Sequence, residues 1–509
     1  MKVERRVVQP PLKFQDQYDW IVLGDDPGAL LSGVLAAKLG LSVLILPLSP
    51  LGTLLKAPDG MLLDPEPNWL VGLKDSEGRA GLLDRCLTHA GVSASFALAE
   101  GVQCLLPGHR LQLGHRPGVN VEEIGRESPR DRVWAESFDR ALQYFGTEVR
   151  SFWAALPDRL TVPAEEEKRK KWIRLKWRES PDFRGVLKRA ANRGLISGDR
   201  FWLKRGAVSG APGAFWEWLL RAGLGTTFRT DDHVPRIRNA FEHIALAQSG
   251  GSFEGGLSNY REVLIDTARS LGATFSESLP CRAIFVEEGR FLGVQIAQRA
   301  SMISGNALAI GCGLDQAREY LSSNQKRNFV RKLKKAPQPN GWCFTLSLKI
   351  RKEGLPVGMH SPLVWQDPGA PALLIERVLE QDLVYLRTYL PFRQESLGIE
   401  YQRIVAARML RQFVEIAPFS EFHLQRVFPD FRGDGVELSE AYGFPSLLLV
   451  PENLRRYSGV GVGTDSGIQG MYVVNPEAYP ELGTLGATVA AVQAVAALAQ
   501  QKGLSGPFG

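Results

Sequence analysis

The sequence predicts an α/β protein in which a domain with a parallel sheet is interleaved with a second domain of mixed sheet and helix. Three observations predict it. Residues 18–50, "YDWIVLGDDPGALLSGVLAAKLGLSVLILPLSP", read as a strand, a glycine turn, a helix and a second strand. Strand-and-helix alternation returns at 250–322, through "GGSFEGGLSNYREVLIDTARSLGATF" and "CRAIFVEEGRFLGVQIAQRASMISGNALAIG". Elsewhere the pattern changes: it is helical and rich in tryptophan and arginine from 120 to 225, then β-rich over 342–392. A chain that leaves its first pattern and comes back to it is better divided into interleaved domains than into consecutive ones.

In chain order, residues 1–17 read as a tail and the strand–helix–strand unit follows. "DGMLLDPEPNWLVGL" (59–73) reads as a short strand entering a turn. "QCLLPGHRLQLG" (103–114) is a hairpin signal, two alternating runs around Pro107 and Gly108. A long amphipathic helix is expected near 396–416, then short strands. "LGTLGATVAAVQAVAALA" (482–499) is the longest apolar stretch, but Thr484, Gln493 and its glycines favour a buried terminal helix over a membrane span. The expected division is a nucleotide-type domain from 18–118, 241–330 and 420–509, and a substrate-type domain from 119–240 and 331–419.

With 44% hydrophobic and 23% charged residues, the chain is globular and able to bury a large core. A net charge of +6 permits an acidic partner or an anionic surface without demanding one. The five cysteines are widely spaced with no C-x-x-C, so neither a disulfide framework nor a zinc site is expected. "MKVERRVVQPPLKFQ" has no apolar core of a secretory signal, and the expected location is the cytoplasm. The seven histidines show no ligand spacing, so no metal site is expected.

The first turn, GDDPGA, carries two readings. A dinucleotide-binding unit wants G-x-G-x-x-G, and here an aspartate stands where a pyrophosphate would lie. The structural alternative is a strand-to-helix turn that needs small residues at Gly24, Gly28 and Ala29 for close packing. In that reading Asp25 or Asp26 caps the helix and Pro27 takes its first position. The helix dipole then serves the protein's own carboxylate.

These pieces resemble the FAD-dependent oxidoreductase superfamily that includes phytoene desaturases, protoporphyrinogen oxidases and flavin amine oxidases. The resemblance covers most of the chain, patchily, and is best over 250–322. It implies an FAD/NAD(P)-binding Rossmann-like domain interleaved with a mixed sheet-plus-helix substrate domain. By that likeness the Gly250–Gly251 pair opens a helix, and Arg282, Ala283 and Ile284 line an adenine pocket. The terminal helix aims the backbone of Thr484, Leu485 and Gly486 at a flavin. Gly24 matches the motif's first glycine and Ala29 an allowed third. A shorter likeness, "IVLG" and "LSG", is to the Rab GDP-dissociation inhibitors, which share the fold and work without flavin.

Four departures from the family pattern bear on FAD. Asp26 replaces the second glycine, placing a charge beside two more of the same sign. At an effective dielectric of about 20, charges ~4 Å apart repel by about 4 kcal/mol. Pro47 ends the second strand where the family has a ribose-binding acid, and Asp64-Pro65-Glu66 replaces D-x-G. The family's A-G-D reads Val462-Gly463-Thr464, with Asp465 one residue later as a partial substitute. Together these argue against tight FAD binding.

"EEEKRKKWIRLKWRES" (165–180) crowds basic residues at 168–178 around Trp172 and Trp177. It reads as a solvated face, or as a peripheral contact with an anionic membrane; no nucleic-acid module accompanies it. Tyr385, Tyr389 and the tryptophans of 153–217 either line an apolar cavity or belong to the core. The expected function is binding of an apolar ligand or a protein partner by a weakly catalytic or non-catalytic member of the superfamily. The alternative is an active FAD-dependent oxidoreductase acting on an apolar substrate. No catalytic residue is singled out.

Overall fold

A computed structural model describes residues 14–48, most of 80–136, most of 250–329, most of 338–429 and most of 464–507, with short pieces between. Strand β1 (Gln17–Leu23) runs into helix α1 (Pro27–Lys38) and then strand β2 (Val43–Leu46), as the sequence pattern predicts. β1 pairs in parallel with β2 on one side and with Ile303–Ile310 on the other. Thr274–Phe275 extends the sheet beyond β2. On the far side Ile303–Ile310 is shared. Its start pairs antiparallel with Arg290–Ile296, and its end pairs parallel with Met471–Val473. Cys281–Glu287 closes that edge, giving seven strands.

β1 and β2 are buried on both faces, which is why they read as continuous apolar runs. Residues 27–37 of α1 are all buried, because the helix is enclosed by Gly256–Ser270 and by the terminal helix Gly483–Gln501. An apolar-all-round helix needs such enclosure. The apolar stretch near the end of the sequence is therefore core. No helix among the described residues is long and apolar enough to cross a membrane.

The glycine pair Gly250–Gly251 does not open a helix. It lies in the strand Gly250–Phe253, paired with Leu70–Val71 and Phe96–Ala99. The helix instead starts within a second pair, with Gly255 as its cap and Gly256 as its first residue, whose φ angles are +80° and +81°. Only the second pair has the left-handed backbone that glycine adopts without cost.

The second sheet also has seven strands, in the order 424–428, 341–350, 383–391, 373–378, 363–365, 101–106, 109–114. Two of its pieces, the hairpin at 101–114 and the strand Leu424–Phe428, come from stretches that the sequence reading assigns to the other domain. Leu346, Leu348, Ile375, Val384 and Leu386 on one face pack against Val405, Met409 and Phe413 of the helix Ile399–Ile416. On alternate positions Arg387 is fully buried. Its Nε donates to Glu376 Oε2 at 2.6 Å, an Nη donates to Thr345 Oγ1 at 3.1 Å, and the guanidinium lies over the Tyr385 ring. Tyr385 is thus core beneath a buried ion pair.

Candidate functional site

Open α/β sheets bind ligands outside the carboxyl ends of their strands, where the strand order reverses. Here that point lies between β1, which leads to β2 on one side, and Ile303–Ile310 on the other. Among the described residues three segments meet there: 24–26 after β1, 311–313 after Ile303–Ile310, and 474–478 after Met471–Val473.

The first loop is held tightly. The Gly24 N–H donates to Leu46 O at 2.9 Å, and the Gly311 N–H to Leu23 O at 2.7 Å. Gly24 has φ +111°, and a Cβ there would lie 2.7 Å from the Gly311 carbonyl carbon. Ala29 faces Gly311, where a Cβ on Gly311 would come within 2.1 Å of the Ala29 Cβ. Small residues at 24, 29 and 311 are therefore required by packing alone.

Asp26 is the N-cap of α1. Its Oδ1 accepts the Gly28 N–H at 2.8 Å, and Pro27 stands at the first helical position. The capping role that the sequence allows for either aspartate thus falls to Asp26. Pro47, at the carboxyl end of β2, is buried. It offers no side-chain acceptor to a ribose. The first amide that α1 offers beyond Pro27 is held by the protein's own carboxylate. Asp64, Pro65 and Glu66 lie outside the described residues.

The predicted site residues are partly brought together. Gly28 on α1 packs on Ala487 of the terminal helix, next to the buried Leu485 and Gly486, while Ala29 faces Gly311. Ile284 is elsewhere, three strands along the sheet from β1, buried in the core, with its N–H donating to Tyr320 O. Gly463 lies outside the described residues. Asp465 begins a hairpin onto Tyr472, and its Oδ1 caps the Gly467 N–H at 2.9 Å.

Two residues that the sequence reading passes over complete the edge. The Asn475 side chain donates to Cys312 O at 2.6 Å and accepts the Glu477 N–H at 3.1 Å. The Glu477 carboxylate accepts the Leu314 N–H, at 3.2 Å to Oε1 and 3.4 Å to Oε2. Glu477 is only 6% exposed. Burial pushes its carboxyl up to about 7; the Leu314 bond opposes this and the Asp315 charge adds to it. Burial, and next the Glu477 charge, push the Cys312 thiol up as well. "MYVVNPEA" carries the signal: an apolar run matching a third parallel strand, followed by a turn with an acid. All five cysteines are buried free thiols, and no cluster of metal-binding side chains occurs among the described residues.

No family model and no curated protein matches this chain. Solved structures do. An oxidoreductase from Methanosarcina mazei aligns over 93% of this chain and 98% of its own, with a TM-score of 0.57 at 14% identity. Putrescine oxidase bound to putrescine aligns over 94% and 98%, with a TM-score of 0.55 at 14% identity. A Rab GDI from Plasmodium falciparum covers 81% of this chain and 88% of its own at 10% identity, but its TM-score of 0.45 carries no weight. At such identities the likeness establishes architecture and not chemistry: the chain is an α/β protein with the fold of these oxidoreductases.

Proposed function

We propose that this protein keeps the flavoenzyme fold but works without a resident flavin, binding an apolar ligand or a protein partner through its second domain. The observation that carries this reading is the Asp26 carboxylate on the Gly28 N–H. It places a negative charge where a pyrophosphate would need a bare backbone, and Pro47 offers no ribose acceptor beside it. A cytoplasmic location, with or without contact between 168–178 and an anionic membrane, belongs to the same reading.

The second reading, an FAD-dependent oxidoreductase acting on an apolar substrate, is favoured by one feature. Gly24 and Ala29 retain the tight turn that such a site uses. In that case the flavin would supply the redox chemistry and the chain would orient it. Purification without added cofactor separates the two. The first reading expects a colourless protein that carries no stoichiometric flavin and binds added FAD only weakly on titration. A flavin spectrum near one equivalent per chain, surviving gel filtration, establishes the second.

A further inference from the structure

The edge described above carries two internal carboxylates on two loops distant in sequence. Asp26 holds the first amide of α1 at 2.8 Å. Glu477, on the approach to the terminal helix, holds the Leu314 N–H at the end of the 311–313 loop. Asn475 braces this second contact from both sides, accepting from the Glu477 N–H and donating to Cys312 O. The backbone closes around them: Gly311 N–H bonds Leu23 O, and Val474 N–H bonds Ile310 O at 3.0 Å. Among the described residues, each of the three segments at the switch point is therefore tied to a neighbour by the chain's own groups.

We propose that Asp26 and Glu477 are built-in anions that close the nucleotide-type edge from within, holding backbone donors that a phosphate-bearing ligand would otherwise engage. The proposal rests on the flavin-independent reading and extends it, because it names Glu477 as a second closing group and makes the closure a matter of charge. Backbone amides at such an edge favour a negative charge. Once two carboxylates supply it, a diphosphate meets repulsion instead of attraction, and Asp25 and Asp315 beside them have the same sign.

The test uses the full chain and the isosteric double variant Asp26→Asn/Glu477→Gln. Asparagine is as good an N-cap as aspartate, and glutamine retains an acceptor for the Leu314 N–H, so the contacts persist while both charges go. FAD is the probe, read by quenching of its fluorescence. The variant is expected to bind FAD at least ~10-fold more tightly than wild type, and each single variant by an intermediate factor. In wild type, lowering the pH from 8 to 6 is expected to tighten FAD binding as Glu477 takes up a proton, an effect absent from Glu477→Gln. A folded double variant that binds no more tightly than wild type overturns the proposal. If the double variant does not fold, the single variants and the wild-type pH series decide in the same way. Wild type isolated with stoichiometric flavin defeats the flavin-independent reading and this proposal together. Flavin-free wild type with no gain in the variants defeats the proposal alone.

Discussion

Gly28 stands so close to Ala487 that a Cβ built on it would lie 2.6 Å from the Ala487 Cβ, and 2.5 Å from the Val474 carbonyl oxygen. The first helix and the last are thus fitted to one another at a position where only a hydrogen can stand. This contact joins residues 459 positions apart (487 minus 28) and fixes the terminal helix over the parallel sheet. In sequence Gly28 reads as part of a turn. Its structural duty is to let two helices touch.

Gly28→Ala is accordingly expected to destabilise the fold by about 1–3 kcal/mol, because the atoms it meets are backbone and a short side chain that cannot swing away. Gly506 has nothing within 4 Å of an added Cβ, and Gly506→Ala should change stability by less than ~0.5 kcal/mol. Urea denaturation of both variants measures this. Equal stabilities would mean that the helices separate without cost.

Asp26 offers a second stability measurement, independent of any ligand. Asp26→Ala removes the acceptor for the Gly28 N–H and should cost about 1 kcal/mol, whereas Asp26→Gly should cost only a few tenths. A loss as large for glycine as for alanine would show that the side chain supports more than the cap.

The buried pair Arg387–Glu376 makes a sharper prediction. Removing one partner leaves an uncompensated charge inside the second sheet, so Arg387→Met should cost about 3–5 kcal/mol. Arg387→Met/Glu376→Leu should recover much of that loss, since it removes both charges. A double-mutant cycle by chemical denaturation gives the coupling. If the double variant is as damaged as the single one, packing around Thr345 and Tyr385 matters more than charge.

The interleaved architecture and the β1–α1–β2 unit were legible in the sequence because apolar periodicity and glycine punctuation are local signals. Local signals also misled. "GGSFEGG" holds two glycine pairs, and only backbone dihedrals tell that the second opens the helix. The stretch 103–114 reads as a hairpin in sequence, but the sheet that it joins is not legible there, since strand partners far away decide that. Glu477 escaped notice for a related reason. Its partner, Leu314, is 163 residues distant, and an acid after a short apolar run looks like any loop. The basic stretch 168–178 and the tryptophans of 153–217 lie outside the described residues.

Glu477 carries the pH dependence. Its carboxyl, ordinarily near 4.5, is pushed up to about 7 by burial. Between these values the folded chain holds a proton that the unfolded chain has released, so stability falls as pH rises through this window and levels off above it. The full displacement corresponds to about 3 kcal/mol. Glu477→Gln removes the titration while keeping an acceptor for the Leu314 N–H. The comparison to make is therefore the difference between wild type and Glu477→Gln, which cancels the histidines and the other carboxyls. Wild type should lose stability relative to the variant from pH 5 to pH 7.5, by an amount on the order of 3 kcal/mol, in denaturation midpoints measured at each pH. Parallel profiles would mean that Glu477 ionises in the fold as it does in the unfolded chain, and that the edge it closes is open to water.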